Sequence, residues 1–185
     1  MILDVKTQHT PIGDLLLIAR DASLLGLEFA DTTDRRGALE ASLTRHLGAF
    51  TRRDHADPAG AATRLERYFA GELAALDEQP VEPHGTPFQL EVWRALRTIP
   101  AGATLSYGAL AERIGRPAAV RAVGSANGAN PVALFVPCHR VIAADRTLWG
   151  YGGGLPRKRW LLSHEGASFA DPAAQGTLAL DDGAR

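Results

Sequence analysis

Cysteine is almost absent from this chain of 185 residues, which holds one, Cys138. A single thiol excludes an internal disulfide and speaks against a cysteine-based structural zinc site. No apolar run approaches the ~20 residues a membrane span needs, so no membrane association is expected. The start, MILDVKTQHTPIGD, carries acids and lacks a basic segment followed by an apolar stretch, so it does not read as a signal peptide. A reducing, cytoplasmic setting is the expectation. Strong net charge is absent too: 20 basic residues meet 21 acidic ones, for a formal charge of -1.

What is present is ordinary for a folded protein, with 45% hydrophobic and 22% charged residues. A chain of this size can bury roughly 70% of its unfolded surface and needs no metal to stay folded. The near-zero total hides an asymmetry. Residues 1–83 carry 9 Lys/Arg against 14 Asp/Glu, whereas 84–168 carry 10 against 4. A basic segment beside an acidic one suits a polyanion-binding unit on a scaffold, and chance imbalance is the plain alternative.

Two short apolar runs, 14–20 and 23–29, flank a polar break and read as a β-hairpin. Leu39, Leu43 and Leu47 place an amphipathic helix over 34–47. Asp57-Pro58 reads as the cap and first position of a second helix carrying Leu65, Tyr68 and Phe69. The proline-containing polar stretch 77–85 reads as a linker. These features predict an α+β protein with domains at 1–83 and 84–168 and a fraying tail over 169–185.

The second half is more explicit. Thr86-Pro87-Phe88-Gln89 has the form of a capping box with proline at the first helical position. A further helix starts at Ser106 and ends at Gly115, and Pro117 opens another after a tight turn, a helix-turn-helix pattern. That last helix is rich in Ala, Gly and Ser, which suits either insertion into a narrow groove or close internal packing. Val132–Val136 reads as a buried strand ending at Pro137-Cys138-His139-Arg140. A free cysteine is commonly a small buried hydrophobe, but His139 or Arg140 beside it could favour a thiolate. Gly150-Tyr-Gly-Gly-Gly154 would offer bare backbone to a flat ligand. Adjacent Cys and His lack metal-ligand spacing, while a Cys–His hydrolase stays open on these residues.

Pro137-Cys-His-Arg-Val-Ile142 resembles the active-site motif of the O6-alkylguanine-DNA alkyltransferases, also called methylated-DNA–protein-cysteine methyltransferases. The resemblance extends over Thr86-Pro-Phe-Gln89, Ile99-Pro-Ala-Gly-Ala-Thr-Leu-Ser-Tyr107, Arg121-Ala-Val-Gly124, Asn130-Pro131, Gly150-Tyr-Gly-Gly-Gly-Leu155 and Trp160-Leu-Leu-Ser-His-Glu-Gly166. It implies a small ribonuclease-H-like first domain and a mainly helical second one. It further implies irreversible transfer of an alkyl group from O6-alkylguanine, and from O4-alkylthymine, in duplex DNA to Cys138 after the nucleotide is flipped out. His139 would take the thiol proton through a water and Glu165 would orient His139. Tyr107 would meet the flipped base and protonate the leaving guanine, Arg121 would fill the vacated space, and Asn130 would fix the turn before the cysteine. DNA contacts map onto Gly108, Arg116 and Ala144 in the minor groove, and Val136, Pro137, Trp149, Tyr151, Gly152 and Gly153 onto the pocket. No cofactor, metal or protein partner is implied, and the protein would act as a monomer.

Three features depart from the family pattern. Trp149 stands where many relatives carry a small or hydroxyl residue, so large adducts such as benzyl would be hindered more than methyl. Arg146-Thr147 replaces a glycine of this loop. Arg157, Lys158 and Arg159 crowd the start of the last helix, reading as a solvated face or a weak DNA-backbone patch. The competing readings are a protein that binds alkylated DNA without repairing it, a regulator without chemistry, and a cysteine hydrolase.

Overall fold

The computed structural model describes residues 1–170. Most of the expected tail therefore lies outside the described residues, although Ala170 is placed and its amide donates to the Arg146 carbonyl at 2.8 Å. The first half builds a four-stranded sheet in the order β3-β2-β1-β4. The expected hairpin is β2 (Leu15–Arg20) and β3 (Ser23–Phe29), antiparallel, with β1 (Ile2–Gln8) antiparallel to β2. A helix, α1 (Thr33–Leu47), carries the chain across one face so that β4 (Thr51–Asp54) joins β1 in parallel.

Strand β2 is apolar on both faces because both are covered. Leu16 and Ile18 meet α1 through Leu39 and Leu43, while Leu15, Leu17 and Ala19 enter the larger core. A Cβ on Gly26 would lie 2.8 Å from the Leu39 side chain, so the missing side chain lets α1 sit close to β3. The larger core continues into the second half, joining Leu17, Phe29 and Leu65 to Val92, Trp93, Val132 and Leu161.

The second helix starts later than its sequence suggests. Pro58–Gly60 forms a separate 3-10 turn with Ala59 at φ 52°, and α2 runs from Ala61 to Phe69. Asp57 still caps it, its Oδ1 accepting from the Ala62 amide at 2.8 Å. The stretch read as a linker is paired rather than loose: the Leu24 amide donates to Pro80 and the Glu82 amide to Leu24.

Beyond it, α3 (Pro87–Leu96) opens with the expected capping box. A two-residue strand, β5 (Leu105–Ser106), leads to α4 (Tyr107–Arg113), and α5 (Val120–Gly128) follows a 3-10 turn at Pro117–Ala119. These two helices are the helix-turn-helix. Helix α5 buries Val123, Ala126 and Asn127 and exposes Arg121, Ala122, Ser125 and Gly128, so close packing and an open small-residue face coexist.

Val132–Val136 is not a strand. The segment is buried as expected, but Leu134 takes φ 68° and the backbone turns on itself, Val136 donating to Val132 at 2.9 Å. An apolar run marks burial without specifying the backbone. A 3-10 turn then spans Cys138–Arg140, β6 (Val141–Ile142) pairs in parallel with β5, and α6 (Leu155–His164) is the last helix among the described residues.

Candidate active site

The site begins with the turn at Asn130. Its side-chain Nδ2 donates to the Val136 carbonyl at 2.7 Å, and its Oδ1 accepts from the Val132 amide at 3.0 Å. This one side chain ties both ends of the buried turn and sets the start of the Cys138 turn, whose amide donates to Val136 at 2.8 Å. Asn127 of α5 adds a bond to the Cys138 carbonyl at 3.4 Å. Burial pushes the Cys138 thiol up, opposed by the Asn130 hydrogen bond and by the positive charges of Arg35 and Lys158. The balance favours the protonated thiol.

Arg140 does not supply the charge that its position beside Cys138 suggests. Its guanidinium turns away and grips Glu165 with two bonds, Nε to Oε2 at 2.9 Å and Nη2 to Oε1 at 2.8 Å. Glu165 also meets His139 Nε2 at 3.0 Å, with both side chains fully buried. A nitrogen facing an ionised carboxylate carries the proton, so Nδ1 holds the free lone pair, and no protein atom engages it. Burial lowers the His139 pKa while Glu165 opposes the shift. The Arg140 and His139 bonds hold Glu165 well below the usual carboxylate range against its burial. The buried imidazole–carboxylate pair thus begins at the residue next in the chain to the thiol.

Cys138 opens onto a cavity of about 220 Å³, below the ~300–1,000 Å³ of pockets for larger ligands. Tyr107, Gly124, Asn127, Tyr151, Gly152 and Gly153 line it, as do Glu28, Phe29 and Arg35 from the first half. Tyr151 sets its ring edge-on to Phe29 at 6.1 Å. Gly153 is fitted so tightly that a Cβ there would fall 2.2 Å from the Phe29 ring. Burial raises the pKa of Tyr107, and the charge of a Cys138 thiolate adds to the effect, leaving a phenol able to donate. Val136, Pro137 and Trp149, expected in this lining, do not contribute to it. Val136 and Pro137 are buried away from it, Val136 in the wall of a separate cavity with Val81 and Trp93, and Trp149 is 67% exposed with its indole nitrogen on Thr147.

The first-half residues were missed from the sequence. The signal was Glu28, an acid inside an otherwise apolar strand, where it is 2% exposed. Arg35 pairs with it at 2.9 Å and donates to the Gly128 and Asn130 carbonyls. A larger groove of about 450 Å³ shares Glu28 and Arg35 but not the cysteine.

The basic cluster of α6 is not a solvated face. Lys158 is fully buried, its Nζ donating at 2.7 Å to both Val141 and Trp149 carbonyls, and so tethers the glycine loop. Arg157 reaches the Ile12 carbonyl and Asp31 while its guanidinium lies 4.3 Å from the centre of the Phe29 ring. Arg146, standing where relatives carry glycine, takes φ 68°, the left-handed conformation glycine favours.

Arg121 and Ala144 are exposed and Gly108 half-buried, while Arg116 is exposed but paired with Glu91 at 3.0 Å. Among the described residues no cluster of three or more His, Cys, Asp or Glu could hold a metal. No helix among them is long and apolar enough to cross a membrane.

Fold and site together define a class: a helix-turn-helix protein with one buried thiol in a cavity lining and a buried imidazole–carboxylate pair beginning at the next residue. Residues 87–167 match the model for the 6-O-methylguanine DNA methyltransferase DNA binding domain, and 5–83 match that for its ribonuclease-like domain. The chain is 48% identical over 158 residues to a methylated-DNA–protein-cysteine methyltransferase of Salmonella typhimurium, covering 85% of this chain and 92% of the relative. It is 49% identical over 164 residues to one of Mycolicibacterium paratuberculosis, covering 89% and 93%. Among solved structures, Mycobacterium tuberculosis OGT in complex with DNA superposes with a TM-score of 0.71 at 42% identity, covering 90% of this chain and 93% of that one. The chain belongs to the methylated-DNA–protein-cysteine methyltransferase family.

Proposed function

We propose that Cys138, at the floor of the cavity with His139 and Glu165 behind it, accepts an alkyl group from O6-alkylguanine in duplex DNA. The protein is a methylated-DNA–protein-cysteine methyltransferase that repairs by direct reversal and is consumed. DNA engagement falls to the helix-turn-helix, with the open small-residue face of α5 in the minor groove and Arg121 entering the stack as the nucleotide leaves it. Gly108 and Ala144 contact the backbone, as does Arg116, which would have to leave Glu91 to do so. The flipped base lies between Tyr107, Tyr151 and the Gly152–Gly153 backbone.

The steps balance. The Cys138 thiol gives its proton through a water to His139 Nδ1, and Glu165 stabilises the imidazolium. The sulfur bonds the alkyl carbon as the carbon–O6 bond breaks, leaving that electron pair on guanine. Tyr107 protonates the departing guanine and regains the proton that His139 took. The thioether has no route to hydrolysis, so each molecule acts once. O4-alkylthymine presents the same alkyl–oxygen bond and is a second substrate. Residues 1–83 serve as scaffold and cavity wall, 84–168 as the DNA-binding and reacting unit, in a cytoplasmic monomer.

What supports this reading is the Cys138 thiol in the cavity lining, next in the chain to the buried, hydrogen-bonded His139–Glu165 pair. Titrating a duplex holding one O6-methylguanine should restore one guanine per protein molecule and then stop. Continued turnover would indicate a hydrolase, and binding without repair the non-catalytic reading. Because Trp149 stands off the cavity wall, Trp149→Gly should leave the benzyl-to-methyl transfer rate ratio unchanged; a shift of several-fold would mean the loop folds inward on DNA.

A further inference from the structure

Glu165 receives more than the imidazole and the guanidinium. Its Oε1 also accepts the Tyr68 hydroxyl at 2.8 Å, a residue of α2 in the first half of the chain. That oxygen therefore has three donors, Tyr68, Arg140 Nη2 and His139 Nε2, while Oε2 has Arg140 Nε. Tyr68 has no freedom to point elsewhere. It is fully buried, its ring is held edge-on by Phe69 at 5.2 Å and His164 at 5.0 Å, and its carbonyl accepts from His164 Nε2 at 2.8 Å.

We propose that Tyr68 is a positioning residue for alkyl transfer: its hydroxyl fixes Glu165 Oε1 against His139 and draws off part of the carboxylate charge, so the first half of the chain sets the basicity of the imidazole that deprotonates Cys138. A carboxylate sharing its charge among three residues pulls less on the His139 Nε2 proton than one sharing it between two. The imidazole must be neutral to accept the thiol proton. The groups facing it are Glu165 at the end of α6, which favours its protonation, and Arg140 and Lys158, which oppose it; Tyr68 acts through Glu165. Burial and the neighbouring Glu165 charge raise the Tyr68 pKa far above the ordinary phenol value, so this group only donates.

The inference rests on the proposed roles of Cys138 and His139, and its test separates the two. Methyl transfer is followed in single turnover with excess protein, from pH 5.5 to 8.5, for wild type and Tyr68→Phe. The substitution keeps the ring and removes one hydroxyl. Without that donor, His139 becomes more basic and the acid limb of the rate profile moves up by about one pH unit. Tyr68→Phe would then match wild type near pH 8.5 and fall behind it progressively toward pH 5.5, the gap approaching but not exceeding about tenfold. Site-specific 3,5-difluorotyrosine at position 68, a stronger donor of nearly the same shape, should move the limb the opposite way and keeps the test open if the phenylalanine variant folds poorly. Parallel profiles, whether lowered or unchanged, would overturn the proposal and leave Tyr68 a packing residue. A wild-type protein that takes up no methyl at any pH would instead overturn the reading of the site itself.

Discussion

A Cys138→Ala protein binds a duplex carrying O6-methylguanine and gains no methyl, while wild type gains one, found in the peptide that contains Cys138. The expected contrast is all or none because no other cysteine exists to accept the group. Folding is not the reason for the loss. The Cys138 amide, the carbonyl that Asn127 engages and the Asn130 tie are backbone or neighbouring groups that alanine leaves in place. Intact-mass and peptide-mass spectra decide the matter, and binding by the same sample shows that the cavity still forms. Methylation elsewhere in the alanine protein would remove Cys138 from the chemistry.

Glu165→Ala should be the most damaging single change to stability. It leaves the Arg140 guanidinium, 2% exposed, with only the Ile99 carbonyl at 2.6 Å, and it strips His139 and Tyr68 of their acceptor. Breaking a buried pair in this way costs about 3–5 kcal/mol. For a chain of this length that corresponds to a fall in Tm of roughly 10 °C, readable by thermal denaturation. Transfer should fail as well, since His139 loses both orientation and charge support. Pairing Glu165→Leu with Arg140→Met removes both charges together and should recover much of the stability but none of the transfer. Recovery of both would show that the carboxylate serves folding alone.

The same carboxylate gives a sign to acid sensitivity. Its folded pKa is depressed below the unfolded value near ~4.3, so its contribution is complete above that value and is lost as pH falls through the depressed one.

How much of this was legible in the chain depended on whether the signal was local. Capping at Thr86-Pro87, the leucine spacing of α1 and the tight turn before Pro117 are short-range signals, and the structure follows them. Strand β4, Thr-Arg-Arg-Asp with every side chain exposed, has no apolar period and exists because β1 offers it a parallel edge. Val132–Val136 is apolar enough to predict burial, but its backbone path is set by the Asn130 amide and by Leu134 at positive φ. At the site, Cys138, His139 and Glu165 were visible through their motifs. Arg35 and Tyr68 were not, because their roles arise from contacts across more than 90 residues of chain, 97 for Tyr68 and Glu165, and Glu28 was not because its place in the cavity wall is set by folding rather than by its neighbours. Lys158 was misread for a related reason: a charge beside two arginines looks solvated until its carbonyl acceptors are seen.

The seam between the two halves carries a final consequence. Arg157, Arg35 and Tyr68 cross it, and the apolar core runs through it without a break. If a base enters the cavity as proposed, the spacing of the walls it meets, Tyr107 and Tyr151 among them, is set largely by the folding of the chain. Selectivity for what enters is then a matter of preorganisation, and loosening the seam anywhere would blur it even where no altered residue touches the base.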